Sequence, residues 1–151
     1  MLQLVYLSRS SASWDGDVQA LGEQAAARNA REEITGILLH ENGTFLQAIE
    51  GPRAIVEDAF LRILHDPRHS GLHVLSRRLL TGREFGNWSM TALLGAAEKK
   101  QAMAKVADIV AVSGAEAKVA FAEHFGGSAS LESAMPASRT QSGGGRALSP
   151  D

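Results

Sequence analysis

Three uncharged polar side chains stand where the hydropathy pattern calls for apolar ones, and their types suit chemistry. Tyr6 shares a strand face with Leu2 and Leu4. Gln47 lies between Phe45 and Ile49 on another strand, and Asn29 continues the helical stripe Val18, Leu21, Ala25. A buried amide or hydroxyl left unmatched costs roughly 1–3 kcal/mol, so each needs a partner. Taken singly, a backbone partner in an ordinary core accounts for any of them. Taken together, with no charge beside them, they point to one cavity between two helices. An amide offers donor and acceptor at once, which suits a flat heteroaromatic ligand carrying alternating carbonyls and ring nitrogens. Residue types alone do not name that ligand.

Other chemistries find less support. Asp66, Arg68 and His69 could serve a small hydrolase, but no nucleophile or activated water is identifiable opposite them. His65, His69 and His73 have the spacing of a metal-binding helix face, yet Pro67 breaks the helix that would align them, so no metal is expected. There is neither a glycine-rich phosphate loop in a strand-to-helix turn nor a nucleophile elbow. The absence of cysteine excludes disulfides, thiolate nucleophiles and iron–sulfur centres, and suits the cytoplasmic location expected here. With 15 Lys and Arg against 17 Asp and Glu, the net charge is −2. That balance argues against phosphate-neutralising nucleic-acid binding and against a polybasic membrane surface. No run approaches the ~18 apolar residues of a spanning helix, and the start MLQLVYLS lacks a signal peptide's basic region.

The elements that must position these residues follow from periodicity. Leu2 to Leu7 reads as a strand apolar on both faces, as in the middle of a covered sheet. Asp15 or Ser13 can cap a helix reaching Asn29. Ile34–His40 and Thr44–Ile49 flank Glu41-Asn42-Gly43, whose Asn-Gly signals a hairpin. Gly51-Pro52 opens a second helix with stripe Ile55, Val56, Ala59, Phe60 and Ile63, which must stop near Asp66. Leu72–Leu80 and Trp88–Leu94 make two more strands. The expected fold is therefore α+β, a ferredoxin-like mixed five-stranded sheet in the order βαββαββ, with two helices on one face. Two short helices follow, Lys99–Val112 and one behind a capping box at Ser113–Glu116, and should pack on the other face. From Gly126 to Asp151 Gly, Ser, Ala and Pro dominate, predicting a disordered tail.

Five ordered blocks carry a resemblance. Leu4-Val5-Tyr6-Leu7-Ser8, Ala27-Arg28-Asn29 leading to Ile34-Thr35-Gly36, Phe45-Leu46-Gln47-Ala48-Ile49-Glu50-Gly51, Asp66-Pro67-Arg68-His69, and Arg83-Glu84-Phe85 with Trp88-Ser89-Met90 resemble the BLUF family of blue-light sensors using FAD. The resemblance covers roughly 1–95 and implies a photosensor domain there; the helical extension over 96–125 and the tail over 126–151 follow it. It implies that Asn29 holds the pyrimidine edge of the flavin. Ile63 and His69 would flank its ring and ribityl chain, and Arg68 would meet phosphate. Arg28 stands where the family often has Asn or His packed against the flavin, a departure that could alter stacking.

The same resemblance implies photochemistry rather than turnover, so no enzyme activity is expected. Tyr6 would give an electron and a proton to the excited flavin through Gln47, whose amide ends rotated or tautomerised. Trp88 and Met90 would change environment as the signal leaves, biasing the last strand and the C-terminal helices. A chain of 151 residues leaves no room for a cyclase or phosphodiesterase, so output is expected through an unknown protein partner or a homo-oligomer. The alternative is a flavin-free ferredoxin-like module that binds a metabolite or a protein.

Overall fold

The computed structural model describes residues 1–86, 88–91 and 96–125. Strand β1 (Leu2–Ser10) is buried from Leu2 through Ser8, and the reason is its place in the sheet. It pairs antiparallel with β3 (Thr44–Gly51) on one side and with β4 (His69–Leu79) on the other. β2 (Thr35–Glu41) lies antiparallel beyond β3, and three residues of β5 (Ser89–Thr91) run parallel beside β2, giving the order β4-β1-β3-β2-β5. Among the described residues the architecture is α+β: an antiparallel four-stranded sheet, β5 added parallel at its edge, and four helices. The remainder of the expected strand to Leu94, the boundary at residue 95 and the tail over 126–151 lie outside the described residues.

Local chemistry explains the joints. Asn42 and Gly43 both have positive φ (50° and 76°), as the tight turn between β2 and β3 requires. Helix α1 (Val18–Arg31) is capped by Asp17, whose carboxylate accepts from Ala20 N at 2.9 Å. The cap is neither Asp15 nor Ser13: Asp15 accepts instead from Asp17 N, and Ser13 bonds Ser11. Pro52 is the cap of α2 (Arg53–Leu64) and not its first helical residue, so the helix begins one position later than expected, while Gly51 still pairs with Leu2 in the sheet. β4 starts three residues before Leu72, its register against β1 broken near Gly71, which sits at φ 59°. Helix α3 (Ala96–Ala111) begins before Lys99, and α4 (Ala115–Phe125) follows. The capping box does not form, because Ser113 Oγ donates backwards to Ile109 O.

Strand alternation sorts the core into two clusters. Leu2, Leu4 and Tyr6 face one way, joining Val56 and Ala59 of α2 and partly buried Leu21 and Ala25 of α1. Val5 and Leu7 face the other way, among Ala102, Val106 and Ile109 of α3 and Phe121 and Phe125 of α4. Among the described residues, no helix is long and apolar enough to cross a membrane.

Candidate functional site

The β1–β3 register sets Tyr6 directly opposite Gln47. Tyr6 Oη donates to Gln47 Oε1, and Phe60 of α2 meets the Tyr6 ring edge-on at 5.3 Å. The phenol is fully buried, and that burial pushes its pKa well above the ordinary value. It therefore holds its proton at any ordinary pH and works as a donor.

Gln47 opens on a cleft between α1 and α2. Leu38, Phe45, Gln47 and Ile49 make its floor. Leu21, Ala25 and Asn29 of α1 line one wall, and Ala59 and Ile63 of α2 line the other. Asn29 is 7% exposed, and its side-chain amide makes no hydrogen bond among the described residues. A nearly buried amide on a cleft wall, short of protein partners, is the mark of a ligand-facing group. Tyr6 does not line the cleft and reaches it only through Gln47.

The rim is polar. Arg68 makes a forked pair with Asp66 (Nη2 to Oδ2 2.5 Å, Nε to Oδ1 2.9 Å) and donates from Nη1 to Gln24 on α1 at 3.0 Å. Hydrogen bonding from Arg68 holds the Asp66 carboxyl below its usual range, and Asp66 in turn raises Arg68. Arg62 of α2 reaches Glu32 at the end of α1, 2.5 Å away. His69 lies at the edge of Phe45 with Nδ1 2.9 Å from Ser8 Oγ. Burial is the first cause of its lowered pKa, followed by Asp66 raising and Arg68 lowering it. Amides on the floor and wall, apolar sides a flat ring can lie against, and guanidinium groups at the rim fit a flavin carrying phosphate.

Asn29, Gln47, Ile63, Arg28, Arg68 and His69 thus line one cleft, with Tyr6 behind Gln47. Trp88 lies elsewhere. It packs with the cluster of the opposite face, 5.8 Å from Phe85, and Lys105 Nζ of α3 stands 5.8 Å from its ring centre. The Met90 side chain lies outside what the structure describes. Sequence reasoning gave Ser8, Gln24 and Arg62 no role. Gln24 could have been found, because it flanks the Leu21–Ala25–Asn29 stripe by one position.

Comparison with known proteins agrees with this geometry. Residues 1–91 match the family described as BLUF, sensors of blue light using FAD. Photoactivated adenylate cyclase subunit beta of Euglena gracilis is 37% identical over 91 residues, 59% of this chain and 11% of that protein. This chain therefore spans about a ninth of that relative's length. The dark-state structure of BlrB, a BLUF protein, is 36% identical, with a TM-score of 0.56 over 60% of this chain and 69% of that one. Klebsiella pneumoniae BlrP1 with FMN and cyclic diGMP is 27% identical, with a TM-score of 0.58 over 81% of this chain and 34% of that one. A family match across most of the chain, on residues that build the Tyr6–Gln47 cleft, places this protein in the BLUF family of blue-light sensors.

Proposed function

We propose that this chain is a blue-light photoreceptor holding FAD in the cleft between α1 and α2, with Tyr6 and Gln47 as its photoactive pair. The observation that carries the reading is the Tyr6 hydroxyl aimed at Gln47 Oε1, with the Gln47 amide on the cleft floor. When bound, the flavin supplies blue-light absorption and an excited state that accepts an electron. Tyr6 is the donor, and its Oη proton moves towards Gln47 Oε1. The electron and proton return to Tyr6, and Gln47 is left rotated or tautomerised, with donor and acceptor exchanged on its cleft side. Asn29 holds the polar edge of the ring, Ile63 and His69 flank it, Arg28 packs beside it, and Arg68 supplies a cation for phosphate. FMN would use the same amides and one fewer phosphate, so mass spectrometry of the released cofactor decides between the two.

No substrate is turned over. Trp88 and Met90 carry the change out of the sheet, and α3 and α4 pass it to a partner protein or a second copy of the chain. The apolar stripes of these helices are buried against the sheet, so a strained sheet is felt by both. The test is direct. Purified protein should be yellow and show a small, reversible red shift under blue light. Colourless protein that cannot be reconstituted with flavin refutes the reading.

A further inference from the structure

Glu50 lies three residues beyond Gln47 on β3 and, by strand alternation, on the opposite face. It is a fully buried carboxylate. Its Oε2 accepts from Gln3 Nε2 and from the backbone N–H of Glu84, both at 3.1 Å. Its Oε1 accepts from Thr35 Oγ1 at 3.1 Å and from the backbone N–H of Phe85 at 2.6 Å. One side chain thus ties β1, the start of β2 and the loop after β4 to the strand that carries Gln47. Arg83 adds a second clasp, donating to Thr35 Oγ1 (2.9 Å) and to the Glu50 carbonyl (3.2 Å). From the loop the path continues outward: Lys105 Nζ of α3 donates to the Glu84 carbonyl at 3.0 Å and stands over Trp88.

We infer that Glu50 is a positioning residue that couples β3 to the Glu84–Phe85 loop and, through Lys105, to α3, so that a light-driven shift at Gln47 reaches the C-terminal helices by this route. The inference rests on the photoreceptor reading above. A buried carboxylate is suited to the task because its two oxygens offer lone pairs to all four donors at once. An amide cannot do the same. Thr35 can rotate its hydroxyl, but Gln3 is held by Arg78, which donates to its Oε1 from Nε and Nη2, and the N–H groups of Glu84 and Phe85 are fixed. Whichever way the amide of a Glu50→Gln variant turns, its NH₂ opposes one of them. The substitution therefore keeps shape and removes one strap.

The experiment uses the full-length, flavin-loaded chain. Backbone amide exchange is measured in the dark and under blue light for the wild type, Glu50→Gln and Lys105→Met, alongside the flavin absorption. All three should form the red-shifted state, since neither residue touches the cleft. The wild type should show a light-dependent exchange difference in α3. Both variants should reduce it at least about fivefold, the low end of a typical coupling between sites. A wild-type difference in Glu50→Gln overturns the inference. If Glu50→Gln fails to hold flavin, Lys105→Met decides: loss of the difference supports the route, and its survival overturns it. A red-shifting wild type with no difference in α3 also overturns it. A wild type without any red shift refutes the photoreceptor reading, and the coupling falls with it.

Discussion

Replacing Tyr6 by phenylalanine removes one oxygen from the centre of the site and leaves the ring against Phe60. Gln47 Oε1 loses its Tyr6 donor, which costs about 1–3 kcal/mol for a buried acceptor, while the core no longer has to desolvate a phenol. A net loss near 1 kcal/mol is expected, lowering Tm by about 2–4 °C for a chain of this size. The alkaline limb gives a second reading. Burial raises the Tyr6 pKa in the folded chain above its ordinary 10.0. A group raised on folding contributes fully below its unfolded pKa, and that contribution is lost as pH rises through the folded value. Above about pH 10 the wild type should therefore lose stability relative to Tyr6→Phe, by about 1 kcal/mol per pH unit. The assay combines thermal melts at neutral and alkaline pH with absorption before and after blue light. Flavin should be retained and the red-shifted state lost. Because Tyr6 is the single tyrosine, any tyrosyl signal in the wild type belongs to it. A Tyr6→Phe protein with a normal photocycle refutes the donor role, and parallel alkaline melts refute the burial argument.

Three further outcomes follow from the geometry. Ser8→Ala removes the anchor of His69 Nδ1 and should weaken flavin binding about fivefold, measured by flavin fluorescence titration, with the red shift retained. In Asp66→Asn, Arg68 loses its forked partner. The wild type should lose stability as pH falls below about 4, where a carboxyl held low by its partner gains its proton, and the variant's acid melts should be flatter. Gly36→Ala would place a methyl 1.9 Å from the Ala48 carbonyl oxygen, so the β2–β3 ladder must move. A loss of about 3 kcal/mol is expected in denaturant titration, and a wild-type midpoint would show that the strands part easily.

Local residue patterns carried the turns and the buried faces. Asn42-Gly43 can take the two positive φ values of a tight hairpin because neither residue resists them strongly, and that preference is written in two adjacent residues. The strand and helix periods likewise placed Tyr6, Gln47 and Asn29 on buried faces. The cap at Asp17 shows where local signals stop, since three neighbouring residues could have accepted and the chain's own turn selected one. Which residues meet depends on the folded chain. Tyr6 and Gln47 lie 41 positions apart, and the pairing of β1 with β3 makes them neighbours. The same holds for Ser8 with His69 and for Glu50 with the Glu84–Phe85 loop. Such contacts depend on strand register and loop path, quantities that no window of sequence contains. Trp88 belongs here too: it lies just before β5, where local sequence did not say which face it takes, and packing against Phe85 and Lys105 settled it.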